Sequence, residues 1–255
     1  MQSSRPSSNL GIVPDAHPGV PSGPLYRQVR EDLIRRVLKG EWGPGAMLPS
    51  EKQLAKEYGH SQGTVRKALM QLFDEGLVIR RSGRGTFVAS HAGQYKPASF
   101  HPIYDNGGAR VVEDTSLYIR CERIAATERV AAGLKIAFGA GVSQILRLRR
   151  SGGRTAVVET TYLPEELCPD AFALVRRERP QSLYALLEQA YNILITDVDE
   201  RVRARLVTDE EAALLEIAPQ SPVLEIERTA LSLGGHPVEW RTMVCATSEF
   251  YYRRS

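Results

Sequence analysis

The chain has 255 residues, with 33 Lys and Arg against 30 Asp and Glu for a formal net charge of +3, which is room for one large domain or two small ones. No stretch reaches the roughly 18–20 apolar residues of a membrane span, and the first residues lack the apolar core of a signal peptide, so a cytoplasmic protein with no membrane partner is expected. Cys121, Cys168 and Cys245 are odd in number and far apart, and the five histidines are scattered, so neither disulfides, a metal site nor a cofactor is expected.

Residues 1–23 are rich in Ser, Pro and Gly and read as a disordered tail. Beyond it the charge divides unevenly. Residues 25–90 carry twelve Lys and Arg against seven Asp and Glu, whereas residues 91–255 carry twenty against twenty-two. Positive charge on the first part suits a phosphate backbone. A solvated helix face would explain the charge alone, but not arginines crowded at a turn tip, which repel one another without a partner.

In chain order, Tyr26, Val29, Leu33, Ile34, Val37 and Leu38 recur at helical spacing. Such a helix either docks a partner or, in the ordinary amphipathic reading, packs the core of the first domain. Ser50 with Gln53 forms a capping-box pattern, Leu54, Ala55 and Tyr58 give a buried face, and Gly59 can end the helix in a left-handed conformation. Ser61 recaps almost at once. Val65, Ala68, Leu69, Leu72 and Phe73 form the next stripe, closed by Gly76. Leu77 to Ile79 and Thr86 to Val88 read as strands around Arg80-Arg81-Ser82-Gly83-Arg84-Gly85, whose glycines allow a tight turn. Two short helices joined by a tight turn and followed by a basic hairpin make a winged helix-turn-helix, assigned to residues 24–90. Its second helix has the size to enter a major groove, and the hairpin reaches the adjoining backbone or minor groove. The expected DNA-contacting residues are Ser61, Gln62, Gly63 and Thr64 at the start of that helix, Arg66 one turn on, and Gly83 and Arg84 at the wing tip. Ser61 and Thr64 can donate to phosphates. Gly63 either permits close backbone approach or is simply tolerated.

Residues 91–115 hold Gly, Pro, Asn and Ser with few apolar runs and read as a linker, part of it packed on the second domain. From residue 116 to 255 strands and helices mix. Strands are expected over 117–124, 144–150 and 156–163, the last two joined at Gly152-Gly153. A helix over 182–190 and a long strand over 193–206 follow. Thr208 with Glu211 caps a helix through Ile217, and strands over 223–233 and 237–246 close on Gly234-Gly235. The whole is α+β: a winged helix-turn-helix and then a mostly antiparallel sheet with helices. Arg147 and Arg149, two apart on one strand, share a face. If that face is interior they need an anion, from the protein or from a ligand. Glu159 on the opposing strand is a candidate partner, and Ser182 at a helix start suits an anion. The alternative is a structural ion-pair network with Ser182 as a plain cap.

Residues 24–88 resemble the DNA-binding domain of the GntR family of bacterial transcription regulators. The matching residues are Pro24-Leu25-Tyr26, Gly45, Leu48-Pro49-Ser50-Glu51, Thr64-Val65-Arg66-Lys67-Ala68-Leu69 and Gly83-Arg84-Gly85-Thr86-Phe87-Val88. The resemblance adds Lys52 to the DNA-contacting set. Many relatives carry Arg where this chain has Gln62 and a larger residue at Gly63. Arg favours guanine and Gln favours adenine, so the operator is expected to shift at that position. Leu146 to Arg149, Val158 to Pro164, Ser182 to Tyr184 and Gly235 to Glu239 resemble the effector-sensing UTRA domain of the HutC subfamily, which shares the fold of chorismate lyase. That resemblance implies a small-molecule pocket built by Arg147, Arg149, Glu159, Ser182 and Tyr184, with Glu239 and Tyr251 beside them.

The resulting expectation is a transcription regulator that represses a near-palindromic DNA operator as a homodimer. Its partners are then double-stranded DNA and an anionic effector, a sugar phosphate or an organic acid. Two other readings stay open: a chorismate-lyase-like enzyme, against which no nucleophile–base pair stands out, and a second domain that only dimerises.

Overall fold

The computed structural model describes residues 23–90, 103–111, 115–232 and 235–253. The expected tail, up to residue 22, lies outside the described residues, as does most of the expected linker.

Three helices, α1 (Leu25–Leu38), α2 (Glu51–Tyr58) and α3 (Gln62–Asp74), precede a hairpin of β1 (Val78–Arg81) and β2 (Gly85–Val88). The boundaries follow local chemistry. Ser50 Oγ accepts the Gln53 N–H while the Gln53 side chain accepts the Ser50 N–H, closing the capping box, and Gly59 takes the left-handed conformation at φ 64. Val29 and Leu33 of α1 pack with Leu54, Val65, Ala68, Leu69 and Leu72, so α1 builds the domain core. Leu38 and Phe73, both counted in the apolar stripes, are 53% and 47% exposed. Leu38 is the last residue of its helix. At 3.6 residues per turn Phe73 lies about 80° round from Val65, on the flank of the stripe.

The second domain is built on a six-stranded antiparallel sheet in the order β4-β5-β6-β9-β8-β7. Its strands are β4 (Thr115–Ala125), β5 (Gly141–Ser151), β6 (Arg154–Pro164), β7 (Ile195–Leu206), β8 (Pro222–Ser232) and β9 (Pro237–Ala246). Gly152 and Gly153, both at positive φ, make the β5–β6 turn. The expected turn between β8 and β9 lies partly outside the described residues; Gly235 there has φ 79. Helices α5 (Ala171–Glu178) and α6 (Leu183–Tyr191) cover one face through Val175, Leu183 and Leu187 on Ile145, Leu163 and Val238. On the other face, α7 (Asp209–Leu215) seats Ala212 and Leu215 on Leu146, Leu148 and Val244. A fourth helix, α4 (Glu128–Leu134), lies so close to Trp240 that a Cβ on Gly133 would sit 2.3 Å from the ring, so only glycine fits there. Helices α4 and α5 were not expected from the sequence: at seven and eight residues they carry too little periodicity.

Part of the segment expected to link the domains packs on the second one. Residues Ile103–Asp105 form β3, which pairs with β10 (Phe250–Tyr252) and packs Ile103 and Phe250 against Val157, Ile226 and Met243. The two domains touch as well. Leu194 packs into the core of the first, and Ser90 Oγ donates to Glu188 of α6 at 2.7 Å. An apolar cleft of about 240 Å³ lies between Val37, Leu38 and Trp42 on one side and Leu167, Ile193 and Val238 on the other. Among the described residues no helix is long and apolar enough to cross a membrane.

Candidate nucleic-acid interface and effector site

The start of α3 is open to solvent. Ser61, Gln62 and Gly63 are exposed, Thr64 half-buried, and Val65 beneath them anchors the helix. Ser61 Oγ accepts the Thr64 N–H at 3.1 Å and lies 3.0 Å from the Thr64 hydroxyl. One hydroxyl of this pair donates to the other, so one O–H of the two remains to meet a phosphate without breaking the cap. Arg66 is exposed but held by Glu51 of α2 at 2.9 Å, and the same carboxylate lies 3.7 Å from Arg80 of the wing. Sequence reasoning gave Glu51 no role; here it lines up one arginine from the recognition helix and one from the wing. Lys52 is exposed on α2. At the wing tip Gly83 and Gly85 have φ of 68 and 117, and Arg84 is exposed between them. A groove of about 690 Å³ runs between Ser50, Glu51 and Gln53 and the wing residues Arg80 to Thr86.

In the second domain a line of buried charges crosses the sheet on the face covered by α6. Register puts Arg147 opposite Glu159, Thr161 opposite Arg241, Arg241 opposite Arg228 and Arg228 opposite Glu200. Glu159, fully buried, accepts from Arg147 Nε at 2.5 Å, from Arg149 Nη2 at 2.6 Å and from Arg241 Nη1 at 2.9 Å. Arg241 also grips Glu239 with two bonds of 2.5 and 2.6 Å. Burial opposes ionisation of Glu159, but the guanidiniums of Arg147, Arg149 and Arg241 outweigh it and hold the carboxyl well below the usual range. Burial likewise opposes charge on Arg241, yet Glu159 and Glu239 raise its pKa.

Tyr184 on α6 stacks over Arg241, with the guanidinium 5.0 Å from the ring, and lies 3.5 Å from Glu239. Burial pushes its phenol up. Tyr118 ties Arg147 to the Pro180 carbonyl, just before Ser182. Ser182 caps α6 by accepting the Ala185 N–H at 3.3 Å. Arg147, Arg149, Glu159, Tyr184 and Glu239 therefore meet in one cluster. Tyr251 does not join it: it stacks on Tyr104 at 5.8 Å, whereas the neighbouring Tyr252 reaches Glu200 at 2.7 Å. Arg228, Arg241 and Glu200 were missed, because strand pairing far along the chain brings them in. Burial lifts the thiols of Cys168 and Cys245 to about 12, which keeps them protonated and poor nucleophiles.

Residues 25–88 match the family of bacterial regulatory proteins called gntR, and residues 110–251 match the UTRA domain. The chain belongs to the GntR family. As a GntR regulator with a UTRA domain it is a DNA-binding transcription regulator and not an enzyme. Its curated relatives include the HTH-type transcriptional repressor NagR of Bacillus subtilis, 31% identical over 85% of this chain and 88% of that protein. A histidine utilization repressor of Pseudomonas putida is 32% identical over 88% of each. Among solved structures, the ligand-binding domain of a GntR-family regulator from Bordetella bronchiseptica superposes with a TM-score of 0.56 at 25% identity, covering 64% of this chain and 99% of that one. YydK of Bacillus subtilis, at 20% identity and a TM-score of 0.53, shares the fold over 91% of this chain and 98% of its own.

Proposed function

We propose that this GntR regulator is a repressor that binds a near-palindromic operator as a homodimer and responds to a small anion held at the buried arginines of its UTRA domain. The observation that carries the effector reading is the charge along the sheet. Arg147, Arg149, Arg228 and Arg241 face Glu159, Glu200 and Glu239, four cations against three anions, all buried. Arg228 and Arg241 stand directly opposite one another on neighbouring strands, where like charges repel. A phosphate or carboxylate supplies the charge this row is short of, with the bidentate geometry guanidinium favours. The named repressors among the relatives support the sign of regulation.

The DNA side rests on the start of α3, with Gln62 and Gly63 at its tip and Arg66, Lys52 and Arg84 around it. Helix α6 then joins the two sites. Tyr184 near its start touches the charge row, and Glu188 and Leu194 towards and beyond its end touch the first domain. A ligand that shifts α6 therefore repositions the DNA-reading domain, and about 1–3 kcal/mol of coupling suffices for regulation.

A thermal-shift panel of sugar phosphates and small carboxylic acids tests the reading. An anion at a hundred times its dissociation constant stabilises by about 2.7 kcal/mol. The expected result is a stabilising anion whose effect is lost in Arg149→Met. A stabilising panel member whose effect persists in that variant, or a panel with no effect at all, contradicts an anion site at the row.

A further inference from the structure

Successive residues of a strand point to opposite faces. Because Glu200 and Arg228 belong to the charge row, their neighbours Asp199, Arg201, Arg203 and Arg205 of β7 and Glu225, Glu227 and Thr229 of β8 lie on the other face of the sheet. The ion pairs on that face form a ladder staggered by one rung. Arg205 reaches Glu225 at 2.5 Å, although Glu225 stands opposite Arg203. Arg203 reaches Glu227 at 3.3 Å, although Glu227 stands opposite Arg201. The next rung offers Arg201 only Thr229, so the ladder ends one carboxylate short. Among the described residues, Arg201, Asp199 and Lys135 have no ion-pair partner.

A cleft of about 550 Å³ opens where the ladder ends, lined by Asp199, Arg201 and Thr229 on the sheet, Arg129 and Lys135 of the α4 segment, and Trp240. Small-molecule and cofactor sites span about 300–1,000 Å³, so a ligand larger than a simple ion has room. One wall is planar. Arg129 lies over the Trp240 ring, 5.4 Å from its centroid, and is held in place by Glu225 and by Glu227 at 2.5 Å. Its side chain is still 50% exposed and lines the cleft, so a fixed guanidinium plane is offered to a ligand. Such planes stack on aromatic rings.

We propose that this cleft is a second ligand site, for a nucleoside monophosphate. Its phosphate lies between Arg201 and Lys135, a ribose hydroxyl donates to Asp199, and the base stacks on Arg129. A phosphate dianion matches the two unpaired cations and takes charge-assisted bonds from both. A single carboxylate suits a ribose hydroxyl, which donates to it. The site is separate from the anion proposed at the buried arginines, which lie across the sheet.

The test is isothermal titration calorimetry on the full chain with AMP, GMP, CMP and UMP, and with the nucleosides and ribose 5-phosphate as fragments. Cooperative melting is checked for every variant. At least one of the four nucleotides is expected to bind once per chain, and its nucleoside and ribose 5-phosphate each at least about tenfold more weakly. Arg201→Gln and Lys135→Gln each remove one phosphate contact and are expected to weaken the nucleotide by about tenfold. Arg129→Lys keeps the charge but loses the plane, so it is expected to weaken the nucleotide and leave ribose 5-phosphate binding unchanged. Wild type that binds none of the four nucleotides overturns the site. Ribose 5-phosphate binding as tightly as the nucleotide overturns the base contact and with it the ligand class. Nucleotide binding unchanged in both Arg201→Gln and Lys135→Gln puts the ligand elsewhere and overturns the proposal.

Discussion

Gln62 and Glu159 show how much one side chain decides in each domain. Gln62 lies exposed on the first turn of α3, where a side chain meets base edges. A glutamine amide suits adenine N6 and N7, whereas an arginine suits guanine O6 and N7. Binding-site selection is expected to return adenine at the matching operator position, and Gln62→Ala to erase that preference at a cost of about 1–3 kcal/mol. Guanine selected equally by both proteins would contradict the assignment. Glu159 works by charge rather than by shape. Removing it leaves Arg147, Arg149 and Arg241 buried together, so Glu159→Gln is expected to lose about 3–5 kcal/mol at pH 7 in chemical denaturation. The folded-state carboxyl titrates below its unfolded value of about 4.3. Its contribution is thus complete above that pH and fades as pH falls through the folded value. The wild-type and Glu159→Gln stability curves should converge on acidification; a constant gap would contradict the pairing.

At the scale of elements, α3 combines good caps with a weak residue. Ser61 satisfies the Thr64 N–H, but Gly63 in the first turn lowers helix propensity. A Cβ there would meet only the Ser61 hydroxyl at 3.7 Å, an ordinary contact. Gly63→Ala is therefore expected to stabilise the first domain by up to about 1 kcal/mol. Weaker operator binding by that more stable variant would show that the backbone approaches DNA closely, and unchanged binding that the glycine is merely tolerated. A destabilised variant would contradict the packing described.

The same scale shows what a sequence can disclose. The boxes at Ser50–Gln53 and Thr208–Glu211 and the turn at Gly152-Gly153 were legible because their chemistry lies within a few residues. The pairing of Arg147 with Glu159 was legible because that turn sets the hairpin register. Arg228, Arg241 and Glu200 were not, since they meet only when β9 pairs with β6 and β7 closes the sheet. Tyr251, implied by the resemblance alone, lies against Tyr104 while its neighbour Tyr252 reaches Glu200, since successive side chains of a strand point to opposite faces. Strand β3 was hidden in a segment whose apolar run is too short to read.

Across the whole molecule, the two domains share α6 and the segment after it. Leu194 lies in the core of the DNA-reading domain, while Tyr184 lies on the charge row. Leu194→Ala is expected to leave anion binding by the UTRA domain intact while flattening the response of operator affinity to the anion. A full response in that variant would contradict transmission through α6. The central claim, that an anion at the buried arginines controls DNA binding, is tested most directly by fluorescence anisotropy. A labelled operator from the selection would be titrated with wild type and with Arg149→Met, with and without the stabilising anion. A coupling of 1–3 kcal/mol predicts that the anion shifts wild-type operator affinity by about 5- to 150-fold, and that Arg149→Met binds the operator but ignores the anion. An operator affinity that no anion alters, or one that shifts equally in both proteins, would contradict the account.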